Sequence, residues 1–358
     1  MSNILNKINI INPFSSERLV SFWIPYPKYV IIDPINICHL KCPLCPTGLR
    51  KVNYKQTAMP FDQFKFILDK LPFIKSLELF RYGESFLHPR IFSMIKYAND
   101  KGIYVIISSN LSFEKPDEFF DKLIKSGLSK LIISLDGTSE ETYSKYRVGG
   151  NFKLVYSNMK KIVKAKKRLK NKKPDIIWQF LINRFNEHEL PTAQKLAKKI
   201  NVKLNAFPID VSDNLVDVNL DNSVEDRKEY WLARDKKNIC NHYREEKQDY
   251  IFEGICPELF KNFAVTVDGK VLPCCGALDK NSVFGDMMTE SFKDIWYGEN
   301  YTKSRLLLLN KNESSDSKTI CTRCKLYNKT PSFRDKLQLL KSVYGNRFHH
   351  ILRALSRC

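Results

Sequence analysis

Residues 29–45 read YVIIDPINICHLKCPLC. Tyr29–Asp33 is a run of aromatic and β-branched residues, apolar at nearly every position, the pattern of a strand buried on both faces of a parallel sheet. Directly after it, Cys38, Cys42 and Cys45 stand in the spacing CxxxCxxC, within a short loop that leads into a helical pattern. A strand, a cysteine loop and a helix make one βα unit, with its chemistry at the carboxyl end of the strand.

The same alternation recurs on the C-terminal side. Further β-rich runs are Ser76–Arg81 (SLELFR), Tyr104–Ser109 (YVIISS), Lys130–Asp136 (KLIISLD), Asp175–Ile182 (DIIWQFLI) and Val202–Phe207 (VKLNAF). Amphipathic stretches at Pro60–Leu71, Pro89–Lys101, Pro116–Ser126, Asn151–Lys170 and Glu187–Ile200 separate them, three opening on proline, where a missing N–H is tolerated. Six such units predict an α/β fold, a partial (βα)6 TIM-like barrel, with functional groups on the loops after the strands.

The barrel core is predicted over residues 29–209, after an N-terminal extension of residues 1–28. Residues 210–250 read as a polar linker with a bridging helix around YWLARDKKNI. A small cysteine-rich domain is predicted over 251–330. In it FAVTV and KVL flank Asp268-Gly269, which supplies the positive φ of a tight hairpin turn. Residues 331–358 form a basic, helical tail expected to pack on the core.

Of the 358 residues, 43% are hydrophobic and 27% charged, a globular composition. Lysine and arginine outnumber the acids by 59 to 39, a formal charge of +20. Much of the excess lies in Lys160–Lys173 (KKIVKAKKRLKNKK), which reads as a helix with a solvated cationic face; nucleic-acid binding is the competing reading, and we expect none. The first residues offer no continuous apolar segment and no small-residue cleavage site, so a cytoplasmic location is expected. No window approaches ~20 uncharged apolar residues, so no membrane span is expected either.

Ten cysteines in such a chain point to metal or redox use and away from disulfides. Three thiolates in CxxxCxxC reach three irons of a [4Fe-4S] cluster and leave the fourth iron open. The alternative is a structural zinc loop, for which His39 is the one further ligand nearby. A second set, Cys256, Cys274, Cys321 and Cys324, supplies four thiolates for another cluster or for a zinc ribbon. Cys275 competes with Cys274; Cys240 reads first as an inert core cysteine, with a hydrogen-donating thiol and an extra ligand as alternatives, and Cys358 reads as inert.

With these motifs in place, the chain resembles the radical S-adenosylmethionine (SAM) superfamily over residues 29–330, with a C-terminal SPASM or twitch-type extension. The resemblance implies that Cys38, Cys42 and Cys45 hold the cluster that binds SAM and reductively cleaves it to a 5'-deoxyadenosyl radical. Leu44, where the family often has an aromatic residue, would pack on adenine. Gly83-Glu84 is similar to the family's Gly-Gly-Glu segment, with Tyr82 in place of the first glycine, and implies that Glu84 receives the methionyl amine. Ser134 and Arg147 would contact the methionyl carboxylate; Asp136 reads as a turn residue. The extension implies an auxiliary [4Fe-4S] cluster on Cys256, Cys274, Cys321 and Cys324. No cysteine lies between residues 325 and 357, which gives one auxiliary cluster and two in all.

Two activities fit this chemistry: oxidation or modification of a small polar metabolite of amino-cyclitol or sugar type, and modification of a peptide or protein. Both imply a reductant such as flavodoxin or ferredoxin. A zinc-stabilised, non-catalytic binding protein is the alternative of another class. No residue is assigned as a general base.

Overall fold

Tyr29–Ile32 (β1) lies in the interior of a single sheet, paired in parallel on one side with Ser76–Glu78 (β2) and on the other with Ala264–Val265 (β7). The computed structural model describes residues 24–51, 55–211, 223–240, 254–278, 282–309, 319–322, 324 and 332–345. The predicted N-terminal extension, much of the linker and Cys358 fall largely or wholly outside those residues.

From β2 the sheet continues in parallel through Tyr104–Ser109 (β3), Lys130–Ser134 (β4), Asp175–Ile182 (β5) and Lys203–Pro208 (β6). On the far side, β7 turns back antiparallel into Lys270–Leu272 (β8), which pairs with Gly285–Asp286 (β9), giving the order β6-β5-β4-β3-β2-β1-β7-β8-β9. The six-unit barrel wall is therefore as expected, and the hairpin at Asp268-Gly269 extends that wall. Gly269 takes φ +87° at the turn, as the Asp-Gly reading requires.

The helices follow their strands: Phe61–Asp69 (α1), Ile91–Asp100 (α2), Asp117–Lys125 (α3), Glu140–Tyr146 (α4), Phe152–Arg168 (α5) and Leu190–Lys199 (α6). Beyond the barrel lie Val224–Trp231 (α7), Glu258–Lys261 (α8), Phe292–Trp296 (α9), Glu299–Leu309 (α10) and Phe333–Tyr344 (α11). Among the described residues no helix is long and apolar enough to cross a membrane.

Strand alternation divides the core. Val30 and Ile32 of β1, Leu77, Val105, Ile107, Leu131 and Ile133 point to the helices and join Phe64, Ile67, Met94 and Leu123 in one buried cluster. Ile31, between them, faces the other way and packs with Ala264, Leu272 and Ala277. Each such side chain stabilises the fold by about 1.5–3 kcal/mol on burial.

Several boundaries shift from the sequence reading. β2 stops at Glu78 and β4 at Ser134, two or three residues early, because the chain then leaves the ladder to form the loops described below. β6 alternates exposed and half-buried residues: it is the sheet edge and is not covered on both faces. Pro60 and Pro116 cap α1 and α3 from outside the first turn, and Pro89 precedes the cap of α2. The bridging helix lies earlier than YWLARDKKNI, where Ser223 and Asp226 form a reciprocal capping box that fixes the start of α7. A second such box, Ser332 with Asp335, starts α11 in the predicted tail. Helix α4 was not anticipated; Ser139 caps it by accepting from the Thr142 N–H.

Candidate active site

The loop after β1 carries the three leading cysteines. Cys42 is buried, and Cys38 and Cys45 are half-buried. The Cys45 N–H donates to the Cys42 carbonyl at 3.1 Å, and the Leu49 N–H to the Cys45 carbonyl at 2.9 Å, so the chain coils tightly just after the first thiols. Gly48 makes this possible: a Cβ there would lie 2.5 Å from the Cys42 carbonyl oxygen, closer than any side chain can sit. Sequence reading did not single out Gly48, because its neighbour is set by the coil and not by spacing.

The segment after β2 packs directly on the residues that lead into Cys38. A Cβ on Gly83 would lie 1.8 Å from the Ile35 carbonyl oxygen, and the Glu84 N–H donates to the Ile37 carbonyl at 2.9 Å. The glycine is thus required by close backbone approach. Glu84 is 2% exposed. Its Oε1 accepts from Ser109 Oγ at 2.8 Å and the Phe86 N–H at 3.1 Å, and its Oε2 from the Asn110 N–H at 2.8 Å. Burial pushes this carboxyl up, against those three donors. No cation among the described residues forms an ion pair with it. Asn110 also donates from Nδ2 to Cys38 Sγ at 3.8 Å, so the end of β3 joins the carboxylate to the first thiol.

From the β4 side, Ser134 ends the strand, buried. Arg147, just past α4, donates from Nε to Asp136 Oδ2 at 2.6 Å and from Nη1 to Cys42 Sγ at 3.8 Å. Asp136 is fully buried and takes the Leu181 N–H on Oδ1 at 2.7 Å. Read from sequence as a turn residue, it is instead the anchor that orients Arg147. Burial opposes the guanidinium charge, but Asp136 and Cys42 outweigh it and hold Arg147 firmly protonated. Lys41 N–H to the Val148 carbonyl at 2.9 Å fastens the cysteine loop to the same segment.

Leu44 is half-buried against Tyr146, Ile209, Val211 and Trp231, near the ends of β4 to β6. His39 places Nε2 2.9 Å from the Ser112 carbonyl, so that nitrogen is occupied in a hydrogen bond. Thiols that receive N–H donors are suited to holding negative charge, and the donors from Asn110 and Arg147 fit Cys38 and Cys42 to a thiolate-bound cluster. Without a metal, burial pushes the Cys38 thiol up to about 12.

The second cysteine set approaches from the hairpin. Cys256 feels the charges of Cys274 and Cys321, and Cys274 those of Cys275 and Cys321, so three of the four expected thiols lie in one neighbourhood. Cys324 is half-buried. Cys274 is half-buried and packs on the Ile31 face of the sheet, whereas Cys275 is exposed. No group of three or more such side chains among the described residues converges on one metal ion.

Arg81 and Tyr82 link the two sets. Arg81 donates to the Cys275 carbonyl from Nε at 3.2 Å and Nη2 at 3.0 Å, and also to the Ala277 carbonyl; Tyr82 OH donates to Cys275 O at 3.1 Å. The guanidinium stacks 4.8 Å from the Tyr82 ring centre. Tyr82, which stands where a glycine was expected, therefore holds the hairpin loop next to the Gly83-Glu84 segment. Asp33, at the end of β1, is 2% exposed with Oδ1 unpartnered. Its burial pushes the carboxyl up to about 7, and Arg81 pulls in the opposite direction.

Residues 32–176 match the radical SAM superfamily, and residues 256–325 match the SPASM iron-sulfur cluster-binding domain. The tungsten-containing aldehyde ferredoxin oxidoreductase cofactor-modifying protein of Pyrococcus furiosus is 25% identical over 325 residues, 84% of this chain and 87% of that one. An AdoMet-dependent heme synthase of Methanosarcina barkeri is 26% identical over 141 residues, 39% of this chain and 40% of that one. Among solved structures, Streptococcus suis SuiB bound to its precursor peptide SuiA superposes with a TM-score of 0.61 at 15% identity, over 86% of this chain and 73% of that one. The structure of anSMEcpe with AdoMet and the Cp18Cys peptide gives 0.57 at 14% identity, over 93% of this chain and 100% of that one. At those identities the structures speak to the fold alone. The chain belongs to the radical SAM superfamily and carries a C-terminal SPASM domain, so its cofactors are SAM, a [4Fe-4S] cluster in the core and further iron-sulfur in the SPASM domain.

Proposed function

We propose that this enzyme oxidises or otherwise modifies a small polar molecule, and that it carries one auxiliary cluster. The observation that carries the cofactor-binding half of the reading is Glu84. It is a buried carboxylate fixed by three donors, without a cation among the described residues, one residue from the glycine packed on the cysteine loop. Such a group is stabilised by an incoming ammonium, which is what the methionyl amine of SAM offers. Arg147, steadied by Asp136, would hold the methionyl carboxylate; Ser134 would donate beside it, and Leu44 would cover the adenine.

Cys38, Cys42 and Cys45 would ligate the SAM-binding cluster, and Cys256, Cys274, Cys321 and Cys324 the auxiliary one, with Cys274 preferred over exposed Cys275. When bound, these groups supply a 5'-deoxyadenosyl radical for hydrogen abstraction and an acceptor for the electron left on the substrate. Arg81 and Tyr82 keep the two cysteine sets in fixed relation. We retain a division into core (29–209), linker (210–250), SPASM segment (251–330) and tail (331–358), with no membrane or nucleic-acid partner, in the cytoplasm.

A small-molecule substrate is supported by the P. furiosus relative, which aligns with most of both chains and is named for modifying a cofactor. The heme synthase points the same way over a shorter stretch. A peptide substrate is the second reading, supported by the peptide-bound neighbours. Anaerobic reconstitution with iron and sulfide tests the site: about eight irons per chain are expected, falling to about four in Cys256→Ala, and dithionite should release 5'-deoxyadenosine from SAM. No cleavage by the reconstituted wild type refutes the reading.

A further inference from the structure

From Pro34 to Phe61 the sequence contains Lys41, Arg50, Lys51 and Lys55 and no aspartate or glutamate. This stretch is the cysteine loop and its return. Lys41, Arg50 and Lys55 are exposed, and none is neutralised by an ion pair among the described residues. A cleft of about 450 Å³ opens here, lined by Cys38, His39, Lys41, Thr47, Arg50 and Gln56, with no acidic side chain in its wall. The surface therefore brings solvent to the first cluster thiol under a rim whose charged side chains, among the described residues, are cationic.

The rim is built to stay in place. Arg50 sits at φ +56° in a turn closed by its own N–H to the Thr47 carbonyl at 3.1 Å, a conformation a long side chain adopts only when its neighbours fix it. Fully buried Asn36 holds the Lys55 end: its Nδ2 donates to the Lys55 carbonyl at 3.0 Å and its Oδ1 accepts from the Thr57 N–H at 2.7 Å. The other cationic concentration, on α5, differs in kind. There Lys161 and Arg168 are paired with Asp117 and Asp121.

We propose that Lys41, Arg50 and Lys55 form the docking surface for a small acidic one-electron carrier protein of the flavodoxin or ferredoxin kind. This rests on the functional reading above, because it is the cluster on Cys38, Cys42 and Cys45 that requires the electron. The transfer is simple: the reduced carrier loses one electron, the cluster gains it, and no bond forms or breaks. Complementary charge raises the encounter rate and orients the carrier toward the exposed side of the loop, and both effects weaken with salt.

The test uses the reconstituted full-length enzyme under anaerobic conditions with reduced flavodoxin as probe. Binding is measured by interferometry at low and high ionic strength, and cluster reduction by optical bleaching. In the double variant Arg50→Asp, Lys55→Glu we expect association to slow by about tenfold and its salt dependence to flatten; aspartate is chosen because it tolerates positive φ. Cluster reduction by dithionite should match the wild type, as should iron content. The neutral pair Arg50→Asn, Lys55→Gln should give an intermediate loss, which separates charge from misfolding. Lys160→Glu, Lys164→Glu on α5 makes the same change in net charge and should bind like the wild type. Unchanged binding by the first variant, an equal loss in the α5 variant, or no binding by the wild type overturns the proposal. If dithionite-reduced wild type does not cleave SAM, the functional reading fails on its own, whatever the binding result.

Discussion

Asp33→Asn should remove one pH-dependent component of stability, of measurable size. Asp33 is buried with an unpartnered Oδ1, and its carboxyl stands near 7 where an ordinary aspartate stands at 3.8. Between those values the folded protein keeps a proton that the unfolded chain has released, so the contribution of Asp33 to stability is greatest below pH 4, falls as pH rises toward 7 and levels off above it. Each pH unit in that window is worth about 1.4 kcal/mol, and between pH 5 and 8 the cost comes to about 2.5 kcal/mol. Asparagine carries no charge to desolvate. Urea transitions of holoenzyme and variant at pH 5, 6, 7 and 8, taken as differences, remove the contributions of every other group. We expect the wild type to lose about 2.5 kcal/mol relative to the variant across that range. A flat difference, or a wild type that gains with pH, would show that Asp33 is ionised and satisfied in the folded state and would refute the reasoning.

Gly83→Ala places a methyl group 1.8 Å from the Ile35 carbonyl, and the displacement should pass to Cys38; we expect SAM affinity, by calorimetry, to fall at least about tenfold. Arg147→Lys keeps the charge but loses the fork, and should weaken SAM binding by roughly tenfold, with Asp136→Asn producing a similar loss through the same guanidinium. Arg305 is fully buried on α10, donating to the Leu259 and Trp296 carbonyls at 2.9 and 2.7 Å. Arg305→Met leaves both oxygens unpaired and should lower stability by roughly 2–4 kcal/mol in urea, with loss of iron from the SPASM segment first.

The barrel strands were legible because their signal is local. β3 and β5 begin and end where the apolar runs do, since both lie inside the sheet with a neighbour strand on each side. β2 and β4 were overread, because Arg81 and Asp136 continue the apolar pattern's neighbourhood while leaving the ladder to bind the Cys275 carbonyl and Arg147. The cysteine sets, Gly83-Glu84 and Arg147 were visible through spacing and motif. What joins them was not: Asn110 to Cys38 spans 72 residues, and Arg81 to Cys275 spans 194. The capping boxes at Ser223 and Ser332 were readable as Ser-x-x-Asp, and the first was passed over for a more apolar stretch downstream.

The placement of β1 between β2 and β7 has a consequence for how the protein is made. Ile31 meets Ala264, a partner more than 230 residues later in the chain. During synthesis, β1 therefore waits with one row of backbone N–H and C=O groups unpaired until the hairpin emerges, and a free strand edge is a template for association with other chains. Expression of a fragment ending near residue 209 should accordingly give insoluble protein, whereas the full chain closes its own edge.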